Sequence, residues 1–237
     1  MKFLRIGQTF LFLLLLSISV NAAPNIVQSL IVNFPVNGRV VVQAHEEVGK
    51  FPQMVFISKQ TGKVLLHSSI EDKEKWLIPE EGDNVGAQPD LRFRALRDSG
   101  FPSPMIMSVG LYHGGSDNAF YLTVFGEVNG KIRRLNDKPL NTAIQGGYYL
   151  GYLNKKLGYG LAVWGFIWGG GVDESHYSEH KYSIEIYQLQ GGKLKQTLRR
   201  TSKKMYEWDK GANSLLELGI RVTDQRKGIP KIKDSLE

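Results

Sequence analysis

The feature that most constrains the fold of this chain is a two-strand pattern that occurs three times. Each copy has a run of β-branched, aromatic or other apolar residues, a turn with glycine followed by lysine, and a second such run. Glycine suits these turns because tight hairpins require a positive φ. The pattern therefore predicts three β-hairpins. Their Gly-Lys pairs lie 68 and then 62 residues apart and are Gly62-Lys63, Gly130-Lys131 and Gly192-Lys193.

Two further strand candidates precede each hairpin, and helical periodicity is nearly absent from the chain. The candidates are 26–34 and 39–43, 91–96 and 105–112, and 148–153 and 161–168. Residues 208–222 follow the last hairpin and read as one or two more strands. The sequence thus predicts an all-β fold, an antiparallel meander of about three four-stranded units that is degenerate β-propeller-like. A β-sandwich or a barrel is the alternative closure of the same strands.

The first 22 residues have the pattern of a secretory signal peptide. Lys2 and Arg5 precede an apolar run from Phe10 to Val20, and Ala22 ends a small-residue cleavage motif. The run is shorter than the roughly 20 apolar residues that a membrane span needs, so no transmembrane anchor is expected in the mature chain. We expect a periplasmic or secreted protein with a signal peptide at 1–22, a single β-meander domain at 23–222 and a basic C-terminal tail at 223–237.

Composition narrows the classes of function. The chain has no cysteine, which excludes disulfides, cysteine nucleophiles and thiolate metal sites. Its formal net charge of +7 weakly favours anionic partners such as lipid headgroups, cell-wall polymers or an acidic protein. A nucleic-acid partner is not expected of an exported protein without a basic stripe.

The segment FRALRDSGFPSPMIMSVG, residues 93–110, resembles the FG-GAP or VCBS-type propeller repeats of exported bacterial proteins. Gly100 and Pro102 occupy the glycine and proline positions of that repeat, and 105–109 occupies its strand. The resemblance implies a propeller-blade fold and, in the family, a calcium loop. Here the three ligand positions hold residues that do not supply the required carboxylates, so no calcium or other cofactor is expected. These positions are Ala95, Arg97 and Ser99.

The signal peptide, the glycine-rich loops and the segment HYSEHKYSIEIYQLQGGKLK at 176–195 are similar to uncharacterised periplasmic proteins of this type. Some members of that broad group are lysozyme inhibitors or immunity proteins that act against cell-wall hydrolases. The resemblance therefore implies a protein partner, with a cell-wall hydrolase as the class of target.

His176 and His180 spell the H-x-x-E-H signature of inverted zinc proteases. That signature requires a helix, but three glycines precede it at 169–171 and a strand pattern begins at Lys181. In an extended strand, two residues four apart lie about 13 Å from each other, too far to bind one metal. We therefore interpret the pair as part of an exposed loop and expect no metal, with an adventitious ion as the open alternative.

Two polar, glycine-rich loops occupy matching places in the second and third units, at 112–118 and 168–180. Loops on a rigid scaffold commonly carry binding residues, so these two are the candidate site. Trp164, Phe166 and Trp168 share one strand face, which favours core packing over an exposed platform. The predicted binding residues are Tyr112, His113, Asp117, Trp168, Asp173, Glu174, His176 and Tyr177.

No catalytic motif stands out. There is no G-x-S-x-G nucleophile elbow, and no helix follows the glycine clusters to bind phosphate. The sequence favours a non-enzymatic binding protein that inhibits a protein partner by steric occlusion. A carbohydrate- or envelope-polymer-binding module is the alternative, because the third unit is rich in aromatic residues.

Overall fold

The computed structural model describes residues 25–46, 53–69, 90–96, 101, 103–114, 117–137, 140–171 and 174–222. The predicted signal peptide, the turn around Asp98 and the basic tail lie outside these residues. The thirteen strands of the described chain are β1 (Asn25–Phe34), β2 (Gly38–Glu46), β3 (Gln53–Ser58), β4 (Val64–Ser69), β5 (Asp90–Leu96), β6 (Met105–Gly114), β7 (Asp117–Val128), β8 (Lys131–Arg134), β9 (Leu140–Ile144), β10 (Gly147–Asn154), β11 (Gly158–Ile167), β12 (Lys181–Gln190) and β13 (Lys193–Thr201).

The strands form three antiparallel meanders, which confirms the predicted all-β fold with four-stranded units. The first sheet has the order β1-β2-β3-β4, the second β5-β6-β7-β8 and the third β10-β11-β12-β13. All three predicted Gly-Lys hairpins are present, as β3–β4, β7–β8 and β12–β13. In the turn between β7 and β8, Asn129 and Gly130 both have positive φ, 52° and 71°, as a two-residue hairpin turn requires.

The short strand β9 is an addition to the predicted pattern. It pairs with the first half of β7, while β8 pairs with the second half of the same strand. Between the two, the buried side chain of Asn136 takes the place of a strand. Its Oδ1 accepts the amide of Val124 at 2.7 Å, and its Nδ2 donates to the carbonyl of Leu122 at 3.3 Å. The backbone of β7 is thereby paired across the gap.

The sheets stack face to face and bury an apolar layer at each junction. Between the first and second sheets, Val42 and Phe56 meet Ile106 and Phe125, and the two phenylalanine rings lie 5.2 Å apart. Between the second and third sheets the layer includes Met107, Leu122, Leu161 and Val163. The far face of the third sheet packs against the C-terminal segment through Trp164, Ile184, Leu215 and Ile220.

That C-terminal segment corrects one sequence prediction. Residues 208–222 were expected to form strands, but Trp208–Leu218 is a 3₁₀ helix that ends at Gly219, whose φ is 71°. The strand prediction is wrong because Leu215 and Ile220 are held by the apolar face of the third sheet rather than by a neighbouring strand. Glycine in the left-handed region is a common helix terminator, and Asp209 in the first turn suits a helix start. Across the described residues, no helix is long and apolar enough to cross a bilayer.

The meander topology gives the stack two distinct ends. We call residues 34–39, 58–64, 127–137, 154–158 and 190–195 the turn end, because they hold the short turns of all three sheets. Glu127 joins two of these turns by accepting the amides of Val36 and Asn37 at 2.9 and 2.8 Å. The connections β6–β7 and β11–β12 lie at the opposite end, which we call the loop end.

Candidate functional site

The candidate site is the connection between β11 and β12, residues 168–180, at the loop end of the third sheet. Its residues 172 and 173 lie outside the described chain, so the predicted binding residue Asp173 has no structural outcome. The connection begins with three consecutive glycines, of which Gly170 has a φ of 76°. Glycine tolerates a positive φ, so the backbone here can direct its amides toward a single carboxylate.

That carboxylate belongs to Glu174. Its Oε1 accepts the amide of Gly169 at 2.9 Å, and its Oε2 accepts the amide of Gly171 at 3.3 Å. The hydrogen bond from Gly169, with weaker ones from the following amides and from His180, holds the pKa of Glu174 below its usual value. The charged form of Glu174 is therefore the form that organises the start of the loop.

His180 closes the other end of the same loop. Its imidazole is 1% exposed, with Nδ1 at 2.9 Å from Oε1 of Glu174 and Nε2 at 2.8 Å from the carbonyl oxygen of Ser175. Each ring nitrogen therefore faces one oxygen acceptor of the loop. The backbone of His180 also exchanges two hydrogen bonds with Tyr206, of 2.9 and 2.8 Å.

The interpretation of this segment as a plain exposed loop is therefore wrong for His180. The prediction that the histidine pair is not helical is confirmed, since His176 lies in a turn and His180 in an isolated bridge. Both nitrogens of His180 are engaged, so it offers no lone pair to a metal in this arrangement. Among the described residues, no group of three or more histidine, aspartate or glutamate side chains is placed to hold a metal ion.

Four aromatic rings pack together next to the contact between Glu174 and His180. His180 lies 4.6 Å from the ring of Phe166 and 5.9 Å from that of Trp168, the latter nearly parallel at 23°. The imidazole of His176 packs against the outer side of Trp168 at 5.2 Å. Aromatic residues were predicted to share one face of β11, and burial decreases along it: Trp164 is buried, Phe166 is half-buried and Trp168 is 49% exposed.

Two ring pairs lie next to each other in sequence at the surface, and three of their four rings are exposed. Trp168 contacts His176, and the neighbouring Tyr177 meets the ring of Trp208 edge-on at 5.8 Å. Tyr177 is 70% exposed and Trp208 is 47% exposed. We call Trp168, His176, Tyr177 and Trp208 the aromatic face. Trp208 belongs to it although sequence reasoning placed that residue at the start of a strand.

The second sheet supports the loop from one side. Gln145, which follows β9, donates from Nε2 to the carbonyl oxygen of His176 at 2.6 Å and has a φ of 52°. The preceding residue, Ile144, pairs with Ala119 near the start of β7. The loop of the third sheet is therefore joined through Gln145 and β9 to the first half of β7.

The predicted binding residues of the second unit lie in strands rather than in a loop. Tyr112 and His113 belong to β6 and Asp117 to β7, and Gly114 pairs directly with Asp117. The prediction of a loop at 112–118 is therefore wrong, since the strands extend almost to their connection. Their side chains lie outside the described part of the structure, so the aromatic face is built from the third unit and the C-terminal helix.

The loop places a serine, a histidine and a glutamate near one another without the pairing of a nucleophile and its base. Nε2 of His180 meets the backbone carbonyl of Ser175, while the hydroxyl of Ser175 lies 3.1 Å from that of Ser178. A nucleophilic serine requires its own hydroxyl within reach of the base. The arrangement instead joins Glu174 to His180 beside the exposed ring of Trp168. The sequence matches no family model, no curated protein and no solved structure.

Proposed function

We propose that the protein is a non-enzymatic binding protein of the periplasmic or secreted compartment, which recognises a protein partner through the aromatic face. The observation that carries the proposal is the exposure of Trp168 and Tyr177 on the loop that contains buried His180, with exposed Trp208 of the 3₁₀ helix against Tyr177. Tryptophan and tyrosine are the residues that most often dominate protein interfaces.

The contacts that order the loop also support the proposal. An interface gains affinity when its residues do not have to be ordered on binding. Here the Glu174 carboxylate, the buried His180 ring and the backbone bridge to Tyr206 order the loop before any partner arrives. Such a loop suits insertion into the cleft of an enzyme, and occupation of the cleft would inhibit it. A cell-wall hydrolase is the class of partner that we propose.

The test measures binding of the purified protein to a lysozyme-type muramidase by calorimetry, together with inhibition of cell-wall lysis. The triple variant W168A/Y177A/W208A should weaken binding by roughly 100-fold or more, as expected when central aromatic residues are truncated. The matched control is Y152A/Y159A, which removes another exposed pair of rings, 48% and 41% exposed, near the turn end.

Equal binding by the wild type and the triple variant would refute the role of the aromatic face. Binding of the wild type to peptidoglycan fragments, but not to the enzyme, would favour the carbohydrate-binding alternative. The same triple variant would then lose affinity for the saccharide, because sugar rings also stack on exposed aromatic side chains.

A further inference from the structure

The three Gly-Lys pairs of the sequence come together at the turn end, far from the aromatic face. Lys63 directly precedes β4, Lys131 begins β8 and Lys193 begins β13. These are the last strands of their four-stranded meanders, so the three lysines occupy the same position in each sheet.

The strands that carry or follow these lysines are neighbours in the stack. β4 packs beside β8, and the amide of Leu194 in β13 donates to the carbonyl oxygen of Leu135, just after β8, at 2.8 Å. Because packed sheets lie about 10 Å apart, we expect neighbouring lysines among Lys63, Lys131 and Lys193 to be separated by roughly that distance. We call these three residues the lysine row.

Positive charge strongly predominates around the lysine row. The turn end holds ten lysines and arginines but only two carboxylates, Glu127 and Asp137. Glu127 is engaged by backbone amides, and Asp137 pairs with Lys193 at 2.7 Å, a contact whose two side chains are 54% and 78% exposed. Lys193 is the member of the row that has an acidic partner, and among the described residues Lys63 and Lys131 form no ion pair, so the surface keeps a net positive charge.

Protection of sheet edges accounts for Lys131 and Lys193, which begin β8 and β13, but not for all of the positive charge at the turn end. Lysines on edge strands prevent the pairing of strands between molecules, and that role fits residues within β8 and β13. It does not fit Lys59, Lys155 and Lys156, which lie in turns and present no strand ladder to a neighbour. These three lysines are exposed at the turns themselves.

We propose that the lysine row is a binding site for a linear polyanion, a polymer that carries sulfate, carboxylate or phosphate groups along its length. A line of point charges at regular intervals matches a chain of repeated anions, and lysine provides charge without the bidentate geometry of arginine. This site is independent of the aromatic face, so either proposal can fail without the other.

The experiment measures binding of heparin and, separately, of inorganic polyphosphate to the purified protein between 50 and 200 mM salt. Three phosphate contacts predict an affinity loss of roughly 20- to 40-fold over this range, from counterion release. The variant K63Q/K131Q/K193Q should bind roughly 100-fold more weakly at 50 mM salt, at about fivefold per lysine. Its affinity should also depend much less on salt.

The matched control is K181Q/K203Q/K204Q, which removes the same charge from exposed lysines near the loop end and should retain wild-type affinity. Melting temperatures of both variants check that the fold is intact. Preference for heparin over polyphosphate, or the reverse, identifies the acidic group that the row accepts. Equal losses in the two variants would show that only net charge matters and would overturn the proposal.

Two other results would also overturn it. One is failure of the wild type to bind either polymer at 50 mM salt. The other is binding to vesicles with 30% anionic lipid that exceeds binding to both polymers and depends on the row, which would assign the surface to a membrane instead.

Discussion

Nδ1 of His180 lies 2.9 Å from the carboxylate of Glu174, and this contact joins the two ends of the loop that carries the aromatic face. The imidazole is buried, while the Glu174 side chain is 14% exposed. The same carboxylate holds the glycine amides at the start of the loop. The order of the exposed rings therefore depends on a pair of residues that are not themselves the contact surface.

We expect replacement of His180 by alanine to lower the free energy of unfolding by about 2–4 kcal/mol, because it removes two hydrogen bonds and a buried ring. Amide hydrogen exchange at Gly169 and Gly171 should become faster in H180A and in E174Q. Urea denaturation and exchange measured by NMR would check both. E179Q, which changes an exposed carboxylate in the same loop, is the control. Unchanged exchange in E174Q would mean that the carboxylate does not hold the loop.

The hydrogen bonds of Glu217 lead us to expect that the stability of the protein depends on pH. Burial raises its pKa, but hydrogen bonds from the amides of Lys203 and Lys204, from Tyr206 and from Arg200 outweigh burial and bring it below the ordinary 4.5. A carboxyl group with a lowered pKa in the folded state stabilises the protein above its unfolded pKa, and the stabilisation is lost as pH falls. Thermal unfolding of the wild type should therefore show stability declining below about pH 4.5.

The E217Q variant isolates this contribution. At pH 7 it should be less stable than the wild type by about 2 kcal/mol, because charged hydrogen bonds are replaced by weaker ones. The difference should shrink as pH falls from 5 to 3. Glu207, whose side chain is 53% exposed, provides the control variant E207Q. A difference that stays constant with pH would contradict the assigned role of the Glu217 charge.

Substitution of Gly211 tests the packing of the 3₁₀ helix against the third sheet. A Cβ at this position would lie 2.3 Å from Cε1 of Tyr182, whose ring is fully buried and cannot move aside. We expect G211A to lower the free energy of unfolding by about 1–3 kcal/mol, as overpacking of a core does. Helical propensity alone predicts the opposite sign, since alanine favours helices over glycine.

The control for this substitution is G171A. Among the described residues, a Cβ there would meet the Cβ of Glu174 at 3.8 Å, which is an ordinary contact. Guanidinium denaturation of both variants would compare them. Equal or increased stability of G211A would mean that the helix is not packed on Tyr182 as described.

Local signals predicted most of the strands and all three Gly-Lys hairpins. Turn residues and alternation act over a few residues, so Asn129-Gly130 specifies its hairpin whatever the rest of the chain does. β9 was missed because Leu140–Ile144 is short and becomes a strand only by pairing with β7. The 3₁₀ helix was missed because Leu215 and Ile220 take their places from the third sheet.

The candidate site was predicted only in part, because some of its contacts join residues that are distant in sequence. Trp168, Glu174, His176 and Tyr177 were identified from a glycine-rich loop in the sequence, and these residues do lie together. Trp208 and the burial of His180 were not predicted, because they depend on Tyr206 and on the helix that follows it, more than 25 residues further along the chain. The zinc-protease signature at 176–180 gives only a sequence spacing. That spacing brings two histidines together on a helix, and residues 176–180 do not form one.

By itself the sequence determined the repeated hairpins, the absence of any cysteine chemistry and the excess of positive charge, because each of these is a property of neighbouring residues or of composition. Only the tertiary structure decided which lysines stand in one row, which aromatic rings remain exposed and which histidine is buried. These depend on the stacking of three sheets, and contacts between sheets join residues that no local pattern connects.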